Sequence, residues 1–253
     1  MCTSWRDVNN TRYVPPFAQR SASTLGAYVQ LPVARAPALG ETLGRALNVT
    51  VAAVGLVMTA PLMAAIAVAI KLSSRGPVFY SQMRVGIDRR ALGVPPGNTR
   101  RQSDCGGKPF RIFKFRTMTP MAAAAGTDDE VWARPDDPRV TPLGRILRSY
   151  RLDELPQLIN VLRGEMNVVG PRPEQPTIFA QLRRQIERYE ERQRVLPGIT
   201  GWAQINQPYD RSVNDVRRKL ELDLEYINRQ SVLEDVRILL RTVPVMLGTR
   251  GAW

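Results

Sequence analysis

The sequence contains no histidine. This absence excludes several common kinds of catalytic site: the Ser-His-Asp triad, the zinc site with histidine ligands, and any site that uses imidazole as a general base. Catalysis by this chain therefore has to use carboxylate, lysine, arginine, tyrosine or hydroxyl side chains, with a hard metal ion where one is needed.

Cysteine is nearly absent, since Cys2 and Cys105 are the two that the chain has. They lie far apart and have no metal-ligand spacing, so we expect no disulfide framework, and a reducing compartment fits the sequence. Nucleotide-binding loops are missing as well. The sequence has no G-x-x-x-x-G-K-[ST], which excludes a P-loop, and no G-x-G-x-x-G after a strand.

Acidic residues are scarce relative to basic ones: 23 Asp and Glu against 36 Lys and Arg give a formal net charge of +13. This excess favours a polyanionic partner, which can be nucleic acid, an anionic membrane surface or a phosphorylated substrate. The basic residues are dispersed along the chain and form no single stripe, which argues against a nucleic-acid-binding protein with a membrane anchor.

One long segment, residues 46–70, has no charged residue at all. As a helix it would be about 37 Å long, enough to cross a hydrocarbon core of about 30 Å. Two topologies are open: a transmembrane helix, or a re-entrant helix-break-helix that turns at Pro61, because proline removes a backbone donor. Thr59 could satisfy carbonyls that the proline leaves free. Basic residues on both sides, among them Arg45 and Lys71, are compatible with two cytoplasmic ends.

The 253 residues allow one domain with small attachments. We divide the chain into a polar, disordered N-terminal arm at residues 1–44, the membrane segment at residues 45–72, and a folded domain at residues 73–253. Because few strands are visible, we expect an α/β domain of the helix-rich α+β kind, preceded by the re-entrant membrane segment and carrying amphipathic helices at the membrane interface.

Local patterns place the elements of this domain. Alternation in F-Y-S-Q-M-R-V-G and in K-P-F-R-I-F-K-F-R-T-M predicts two short strands, and helical spacing predicts helices over 143–163 and 177–195. Ser212 followed by Asp215 resembles a capping box and predicts a helix start. The last predicted helix runs from Val232 to about Leu247, with a wide apolar face that would pack on the core or lie in the membrane interface.

The adjacent carboxylates Asp153 and Glu154 are the first candidates for chemistry. Pro156 should begin a helix and hold Leu155 extended, which would place both carboxylates beside a helix N-terminus. The positive dipole end there helps to keep a carboxylate ionised, as a nucleophile or a metal ligand must be. The alternative interpretation of this pair is an ordinary helix cap.

Basic residues supply candidate phosphate ligands. Arg172 lies between two prolines in V-V-G-P-R-P-E, so its guanidinium has little entropy left to lose, and its planar fork suits a diphosphate. Lys114 and Arg116 on the second predicted strand, and Arg148 before the carboxylate pair, could neutralise phosphate oxygens. The alternatives are a proline-stiffened turn and solvated surface charges.

Two acidic clusters, residues 128–130 and 136–137, resemble metal-binding groups. Both lie in irregular sequence, which argues against that role. Aromatic residues with nearby arginines could form a stacking platform for nucleic acid, although packing in the core of a strand explains them better. These residues are Tyr80, Phe110, Phe113 and Phe115.

The order of the motifs carries a resemblance. The chain closely resembles the bacterial sugar transferase family in four long blocks that begin K-L-S-S-R-G-P-V-F-Y-S-Q-M-R-V-G, G-K-P-F-R-I-F-K-F-R-T-M, R-V-T-P-L-G-R-I-L-R-S-Y-R-L-D-E-L-P-Q-L and L-P-G-I-T-G-W-A-Q-I-N. These enzymes are monotopic polyprenol-phosphate phosphoglycosyl transferases, and the chain looks like their short form. The resemblance covers about residues 45–253, which makes residues 73–253 the catalytic domain.

The resemblance implies a phosphoglycosyl transferase that moves a sugar-1-phosphate from a UDP-sugar to undecaprenyl phosphate and releases UMP through a covalent aspartyl phospho-sugar intermediate. Such an enzyme initiates exopolysaccharide, capsule, O-antigen or related glycan assembly. It would lie at the bacterial cytoplasmic membrane, the inner membrane, with the catalytic domain on the cytoplasmic face. No nucleic acid is expected as a partner, and the short C-terminal helices are compatible with a homodimer.

The resemblance also implies roles for residues. Asp153 matches the nucleophile of the family and Glu154 its partner carboxylate, and the two would hold Mg²⁺, the usual metal of the family. Arg172 matches the arginine of the Pro-Arg-Pro loop that holds the nucleotide. Pro61 matches the proline of the re-entrant break, although Ala60 precedes it where the family often has serine. Further matched positions near the phosphates are Lys114, Arg116 and Arg148.

Overall fold

The structure, a computed structural model, describes residues 38–88, 106–119, 137–207 and 212–247. Within these residues helices dominate and the strands are short, which confirms the predicted helix-rich α+β fold class. In chain order the elements are α1 (Ala38–Ser73), β1 (Phe79–Val85), β2 (Pro109–Phe115), α2 (Pro142–Ser149), α3 (Gln157–Leu162), β3 (Asn167–Val169), α4 (Pro176–Gln185), β4 (Gly198–Thr200), α5 (Trp202–Asn206), α6 (Val213–Arg229) and α7 (Val232–Leu247).

Helix α1 contains the long apolar segment and runs without interruption for 36 residues, with Pro61 inside it. The structure therefore does not show the predicted break at Pro61. Thr59 Oγ1 donates to the carbonyl oxygen of Gly55 at 2.6 Å, and not to that of Val57, the carbonyl that a proline at position 61 leaves without its helical donor. By length and composition, the segment Gly40–Ser73 could cross a membrane.

Both ends of α1 carry buried residues, whereas its centre is at most half-buried. Asn48 and Ala52 are buried near the first end, and Ile66 and Ile70 near the second. No residue from 53 to 65 is buried. Large apolar side chains are therefore exposed in and around the centre of the helix: Val54, Val57, Met58, Leu62 and Val68.

Strands β1 and β2 confirm the two predicted strands. They pair antiparallel, with Phe79 opposite Phe115 and Lys114 opposite Tyr80. The hairpin packs against both ends of α1 through two apolar clusters. The first contains Ala52, Phe110, Ile112, Val161, Met166 and Val168, and the second contains Ile66, Ile70, Phe115 and Leu147.

The helix predicted over 143–163 is instead two short helices, α2 and α3, joined by a 3₁₀ turn at Leu152–Glu154. Arg151 has left-handed backbone angles, with φ at 53°, and this ends α2. The predicted extended conformation of Leu155 is wrong: its angles are α-helical, because its N–H continues the turn by donating to Leu152 at 3.4 Å. The local hydrogen bond outweighs the effect of the following proline.

The helix predicted over 177–195 is also divided. Helix α4 ends at Gln185, since Ile186 is extended and Arg188 is left-handed with φ at 63°. A 3₁₀ segment, Tyr189–Arg194, follows. Three apolar residues at helical spacing are nonetheless buried together: Leu182, Ile186 and Tyr189.

The remaining elements combine confirmed and missed features. The predicted cap of α6 is present, with Ser212 Oγ accepting from Asp215 N at 3.2 Å. Helix α7 has the predicted bounds. The short parallel pair of β3 and β4, with Asn167 opposite Gly198, was not predicted. This strand pair helps to position the candidate site, because the segment that carries Arg172 begins where β3 ends.

Candidate active site

Asp153 and Glu154 lie on the 3₁₀ turn between α2 and α3, and both are buried. Two predicted basic residues come to them from distant parts of the chain. Lys114 of β2 places its Nζ 2.8 Å from Glu154 Oε1 and 4.0 Å from Asp153 Oδ2. Arg172, which follows β3, donates through Nη2 to the same Glu154 oxygen at 2.9 Å. The structure therefore brings four of the predicted site residues together.

The two carboxylates have opposite electrostatic environments. Burial acts to raise the pKa of Glu154, but Arg172 and Lys114 outweigh it and hold that pKa well below the usual range. Burial raises the pKa of Asp153; Lys114 opposes this shift and the charge of Glu154 adds to it. Glu154 is thus an ion that anchors two cations, while Asp153 is a carboxylate whose negative charge is poorly compensated.

The hydrogen bonds give the same contrast. Glu154 Oε1 accepts from both cations. Among the residues that the structure describes, none donates a hydrogen bond to Asp153, and Lys114 Nζ, the closest paired cation, is 4.0 Å away. The Asp153 side chain keeps 11% of its surface exposed. A buried carboxylate with open oxygens is suited to attack an electrophile or to bind a metal.

Arg148 and Arg116 differ from the expectation. Arg148 Nε donates to Thr117 Oγ1 at 2.9 Å, and its charge acts on Asp153 without direct contact. Arg116 is buried away from the two carboxylates, and its guanidinium donates to the carbonyl oxygens of Arg75 at 2.9 Å and Ser74 at 2.8 Å. We therefore assign Arg116 to holding the end of α1 and not to phosphate binding.

The donor set fits Mg²⁺. This ion prefers oxygen ligands and is usually held by one or two carboxylates together with substrate phosphates. The oxygens of Asp153 and Oε2 of Glu154 accept no hydrogen bond from the described residues, so they are available as ligands. No cluster of three or more acidic, cysteine or histidine ligands occurs within the described parts of the chain, which is consistent with a site completed by phosphate oxygens.

The acidic clusters expected at 128–130 and 136–137 fall mostly outside the described residues. Asp137 is described, and its carboxylate accepts hydrogen bonds from Arg139 Nε at 2.9 Å and 3.0 Å. The hydrogen bond from Arg139 lowers the pKa of Asp137 to about 2. Asp137 is thus paired with an arginine of its own turn.

Sequence reasoning missed a second group of charges behind Arg172, which we call the buried charge cluster. Its members are Glu174, Arg192, Lys219 and Asp223. Arg192 Nε donates to Asp223 Oδ2 at 2.7 Å, and Lys219 Nζ donates to Glu174 Oε1 at 3.0 Å. Arg192 and Asp223 are 31 residues apart, and no pattern in the sequence pairs them.

Comparisons with known proteins find undecaprenyl-phosphate sugar transferases among the relatives of this chain. The chain is 41% identical over 209 residues to the UDP-glucose:undecaprenyl-phosphate glucose-1-phosphate transferase of Escherichia coli (strain K12), a match that covers 81% of this chain and 40% of that protein. It is 39% identical over 208 residues to the UDP-N-acetylgalactosamine-undecaprenyl-phosphate N-acetylgalactosaminephosphotransferase of Aeromonas hydrophila, covering 82% of this chain and 44% of that protein.

A shorter relative matches over more of its length. The UDP-glucose:undecaprenyl-phosphate glucose-1-phosphate transferase of Caulobacter vibrioides is 39% identical over 211 residues, covering 83% of this chain and 71% of that protein. By contrast, the chain spans less than half the length of the Escherichia coli and Aeromonas hydrophila relatives. The family model for bacterial sugar transferases matches residues 39–249. The chain belongs to the bacterial sugar transferase family.

Proposed function

We propose that this chain transfers a sugar-1-phosphate from a UDP-sugar to undecaprenyl phosphate and releases UMP. The observation that carries the proposal is Asp153: a buried carboxylate without a hydrogen bond from the described residues, beside a carboxylate that holds Lys114 and Arg172. The relatives support the substrate classes, since their names specify UDP-glucose or UDP-N-acetylgalactosamine and undecaprenyl phosphate.

The chemistry follows from this arrangement. An Asp153 oxygen attacks the β-phosphorus of the donor, a bond from Asp153 to phosphorus forms, and the bond to the leaving UMP breaks. An oxygen of the lipid phosphate then attacks the same phosphorus, which restores the Asp153 carboxylate and leaves the sugar on a lipid diphosphate. Because burial leaves the charge of Asp153 poorly compensated, bond formation with phosphorus relieves an unfavourable ground state.

The neighbouring charges position the donor. Glu154 fixes Lys114 and Arg172 through one oxygen, so both cations face the place where the diphosphate must lie. Arg148 adds positive charge from the α2 side. A Mg²⁺ ion held by Asp153 and Glu154 would neutralise charge on the diphosphate.

The packing of α1 supports a re-entrant topology. A helix that crosses a bilayer carries its ends to opposite faces. Here Arg45, near the first end, donates to the carbonyl oxygens of Val161 at 2.7 Å and Leu162 at 2.9 Å, and Arg116 holds the residues just beyond the second end. Both ends thus pack on one domain, so α1 would bend at Pro61 in the membrane and would enter and leave it from the cytoplasmic face.

In this topology the exposed apolar centre of α1, with Pro61, lies deepest in the lipid. Single cysteines at Leu43 and Leu72, both exposed, test this in a background without Cys2 and Cys105. In sealed spheroplasts, an impermeant maleimide should label neither position until the cells are lysed. Labelling of one position in intact spheroplasts would show that α1 spans the membrane.

Helix α7 is the second element that we place at the membrane interface. It buries Asp235 and Ile238 on one side. On the other side it exposes an apolar stripe beside Arg237 and Arg241. An apolar stripe with flanking positive charge is typical of an interfacial helix. The exposed stripe consists of Leu233, Val236, Leu240 and Val243.

Spin labels test this placement in nanodiscs. A label at Leu240 should be shielded from a water-soluble relaxation agent, whereas a label at the exposed Glu221 of α6 should not be. Equal accessibility of the two labels in nanodiscs would contradict it. A second outcome is that the label at Leu240 is shielded in solution without detergent, and that the shielding increases with protein concentration. In that case the stripe is a contact between two copies of the chain.

The activity itself is tested by UMP release in nanodiscs that contain undecaprenyl phosphate, with Mg²⁺ and either UDP-glucose or UDP-N-acetylgalactosamine. We expect release that depends on the lipid phosphate, with one donor preferred. Release of UDP in place of UMP, or release that water supports as well as the lipid does, would overturn the proposal.

A further inference from the structure

The segment that presents Arg172 has no regular structure, yet its backbone is held by side chains from two other elements. It runs from Gly170 to Gln175, between β3 and α4. Pro171 and Pro173 have no N–H, so the segment has few backbone donors with which to form the hydrogen bonds of a strand. A Cβ at Gly170 would lie 2.5 Å from the carbonyl oxygen of Leu196, so the chain passes too closely for any larger residue.

Consecutive carbonyl groups of this segment each receive a donor. Arg192 Nη2 donates to the oxygen of Arg172 at 3.1 Å, and Arg84 Nη1 donates to the oxygen of Pro173 at 3.2 Å. The N–H of Val85 donates to the oxygen of Glu174 at 2.9 Å. The backbone on either side of the Arg172 side chain is thus fixed by two guanidinium groups and by β1.

Arg192 is itself fixed on all sides. Its Nε donates to Asp223 and its Nη1 donates to Tyr189 Oη, both at 2.7 Å, and 1% of its side chain is exposed. Burial acts to lower the pKa of Arg192, but Tyr189 and Asp223 outweigh it and raise that pKa, so the group stays charged. One planar guanidinium therefore joins α6 to the backbone of Arg172.

Glu174 strengthens the same attachment. Its carboxylate accepts from Lys219 at 3.0 Å and from Arg192 at 3.4 Å. Burial acts to raise the pKa of Glu174, but Lys219 and Arg192 lower it to about 2. The segment is held to α6 by its backbone at Arg172 and by its side chain at Glu174.

Arg84 is held at a cost in stability. Burial and the nearby charge of Arg172 both lower its pKa. Its hydrogen bonds go to the carbonyl of Pro173 and to Gln82 Oε1 at 2.8 Å, and no carboxylate of the described residues forms a salt bridge with it. A half-buried cation beside another cation destabilises the fold, and the charges of Glu174 and Glu154 offset only part of this effect.

We propose that Arg84 and Arg192 are positioning residues: they set the direction in which Arg172 presents its guanidinium to Glu154 and to the anionic donor. Arg192 acts through the carbonyl of Arg172 and Arg84 through that of Pro173. This inference rests on the proposed function for the identity of the donor, but the geometry of the segment can be measured without it.

The first test measures amide hydrogen exchange over residues 168–176 in the full chain, in wild type and Arg192→Lys. A lysine has one ammonium group and cannot bind Asp223, Tyr189 and the carbonyl of Arg172 at once. We expect exchange in this segment to be about tenfold faster, with exchange in β2 and α3 unchanged. Arg188→Lys is the matched control, because Arg188 lies four residues earlier, just before the 3₁₀ segment, and its side chain is exposed. It should leave exchange over residues 168–176 unchanged.

The second test is a double-mutant cycle with Arg172→Lys, read by UMP release. Arg192→Lys should raise the KM for the UDP-sugar about tenfold, leave the KM for the lipid phosphate unchanged, and have no further effect once Arg172 is replaced. A role in stability alone would give additive effects. If Arg192→Lys does not fold, Arg84→Lys replaces it in both tests with the same expected results.

The outcomes separate the two proposals. Unchanged exchange at 168–176, or additive effects on KM, overturns the positioning role even when the enzyme is active. Absence of UMP release by wild type overturns the proposed function, and the exchange measurement then decides the positioning role by itself.

Discussion

Two groups of buried charges in the described parts of the chain share one arginine, and they are built differently. In the buried charge cluster every charged group has a partner of opposite charge, with Arg192 and Asp223 2.7 Å apart. In the active-site group, Glu154 binds two cations while Asp153 receives no hydrogen bond from the described residues. Arg172 belongs to both, through its side chain on one side and its carbonyl on the other.

This difference separates scaffold from chemistry. A buried ion pair that is fully hydrogen-bonded holds elements in place, and removing one partner is strongly destabilising. A buried carboxylate without such partners destabilises the fold and is retained where a reaction needs it. The first group therefore gives the site its geometry, and Asp153 gives it its reactivity.

The sharpest test of the contrast is Asp153→Asn, which should abolish UMP release, by about ten-thousandfold or more. Since burial raises the pKa of Asp153, the ionised side chain destabilises the fold at neutral pH. The variant should therefore melt at the same temperature as wild type or higher. An inactive variant that has also lost its fold would contradict the distinction.

Asp223→Asn, unlike Asp153→Asn, should lower the stability of the fold. Burial raises the pKa of Asp223 too, against the charge of Arg192, but the substitution leaves Arg192 as a buried cation without its closest counter-ion. We therefore expect a loss of about 3–5 kcal/mol in the free energy of unfolding. Chemical denaturation in detergent micelles measures this. A variant as stable as wild type would show that the cluster is not the scaffold.

Lys114, on β2, and Arg116, one residue beyond its end, allow the two roles to be compared at neighbouring positions. Lys114→Ala removes one of the two cations that bind Glu154 and should lower kcat/KM about a hundredfold. It should also lower stability, because Arg172 alone is left to compensate the buried Glu154 charge. Arg116→Ala leaves the carbonyls of Ser74 and Arg75 without their donor and should lower stability by about 1–3 kcal/mol. The activity of its folded fraction should be retained. Equal losses of kcat/KM in the two variants would show that Arg116 also takes part in phosphate binding.

Asp235 provides the smallest test, because it is a buried carboxylate outside both groups. It accepts a hydrogen bond from Tyr226 at 2.7 Å, and burial raises its pKa from 3.8 to about 6 against the effect of that bond. A folded-state pKa above the unfolded one means that its contribution to stability is full below about pH 4 and is lost as the pH rises through about 6.

Asp235→Asn should remove that dependence. The stability difference between variant and wild type, measured by thermal melting from pH 4 to 7, should therefore change in favour of the variant as the pH rises. A difference that stays constant across this range would show that Asp235 titrates as an ordinary surface carboxylate.

Local sequence determined much of the fold. The alternation in β1 and β2, the Ser212 cap of α6 and the bounds of α7 all depend on residues close in sequence, and all were predicted. The failures have a common cause. Helices over 143–163 and 177–195 are divided at Arg151 and Arg188, non-glycine residues with left-handed angles, which local propensity does not favour.

The site was predictable where a motif contained the whole arrangement. Asp153 and Glu154 are adjacent, and the prolines around Arg172 are its neighbours. The buried charge cluster was missed because its contacts join β1, the segment after β3, the 3₁₀ region and α6. For Arg116, phosphate binding stays a prediction: Lys114, two residues earlier on β2, contacts Glu154, whereas the guanidinium of Arg116, just beyond β2, donates to carbonyls at the end of α1.

The central claim, that Asp153 is the nucleophile, is tested most directly by trapping the intermediate. The protein in nanodiscs without lipid phosphate is mixed with Mg²⁺ and a UDP-sugar carrying a radiolabelled β-phosphate. We expect up to one label per chain, released by hydroxylamine and by added undecaprenyl phosphate, and absent from Asp153→Asn. Labelling that persists in Asp153→Asn, or turnover by wild type without any labelled protein, would contradict the account.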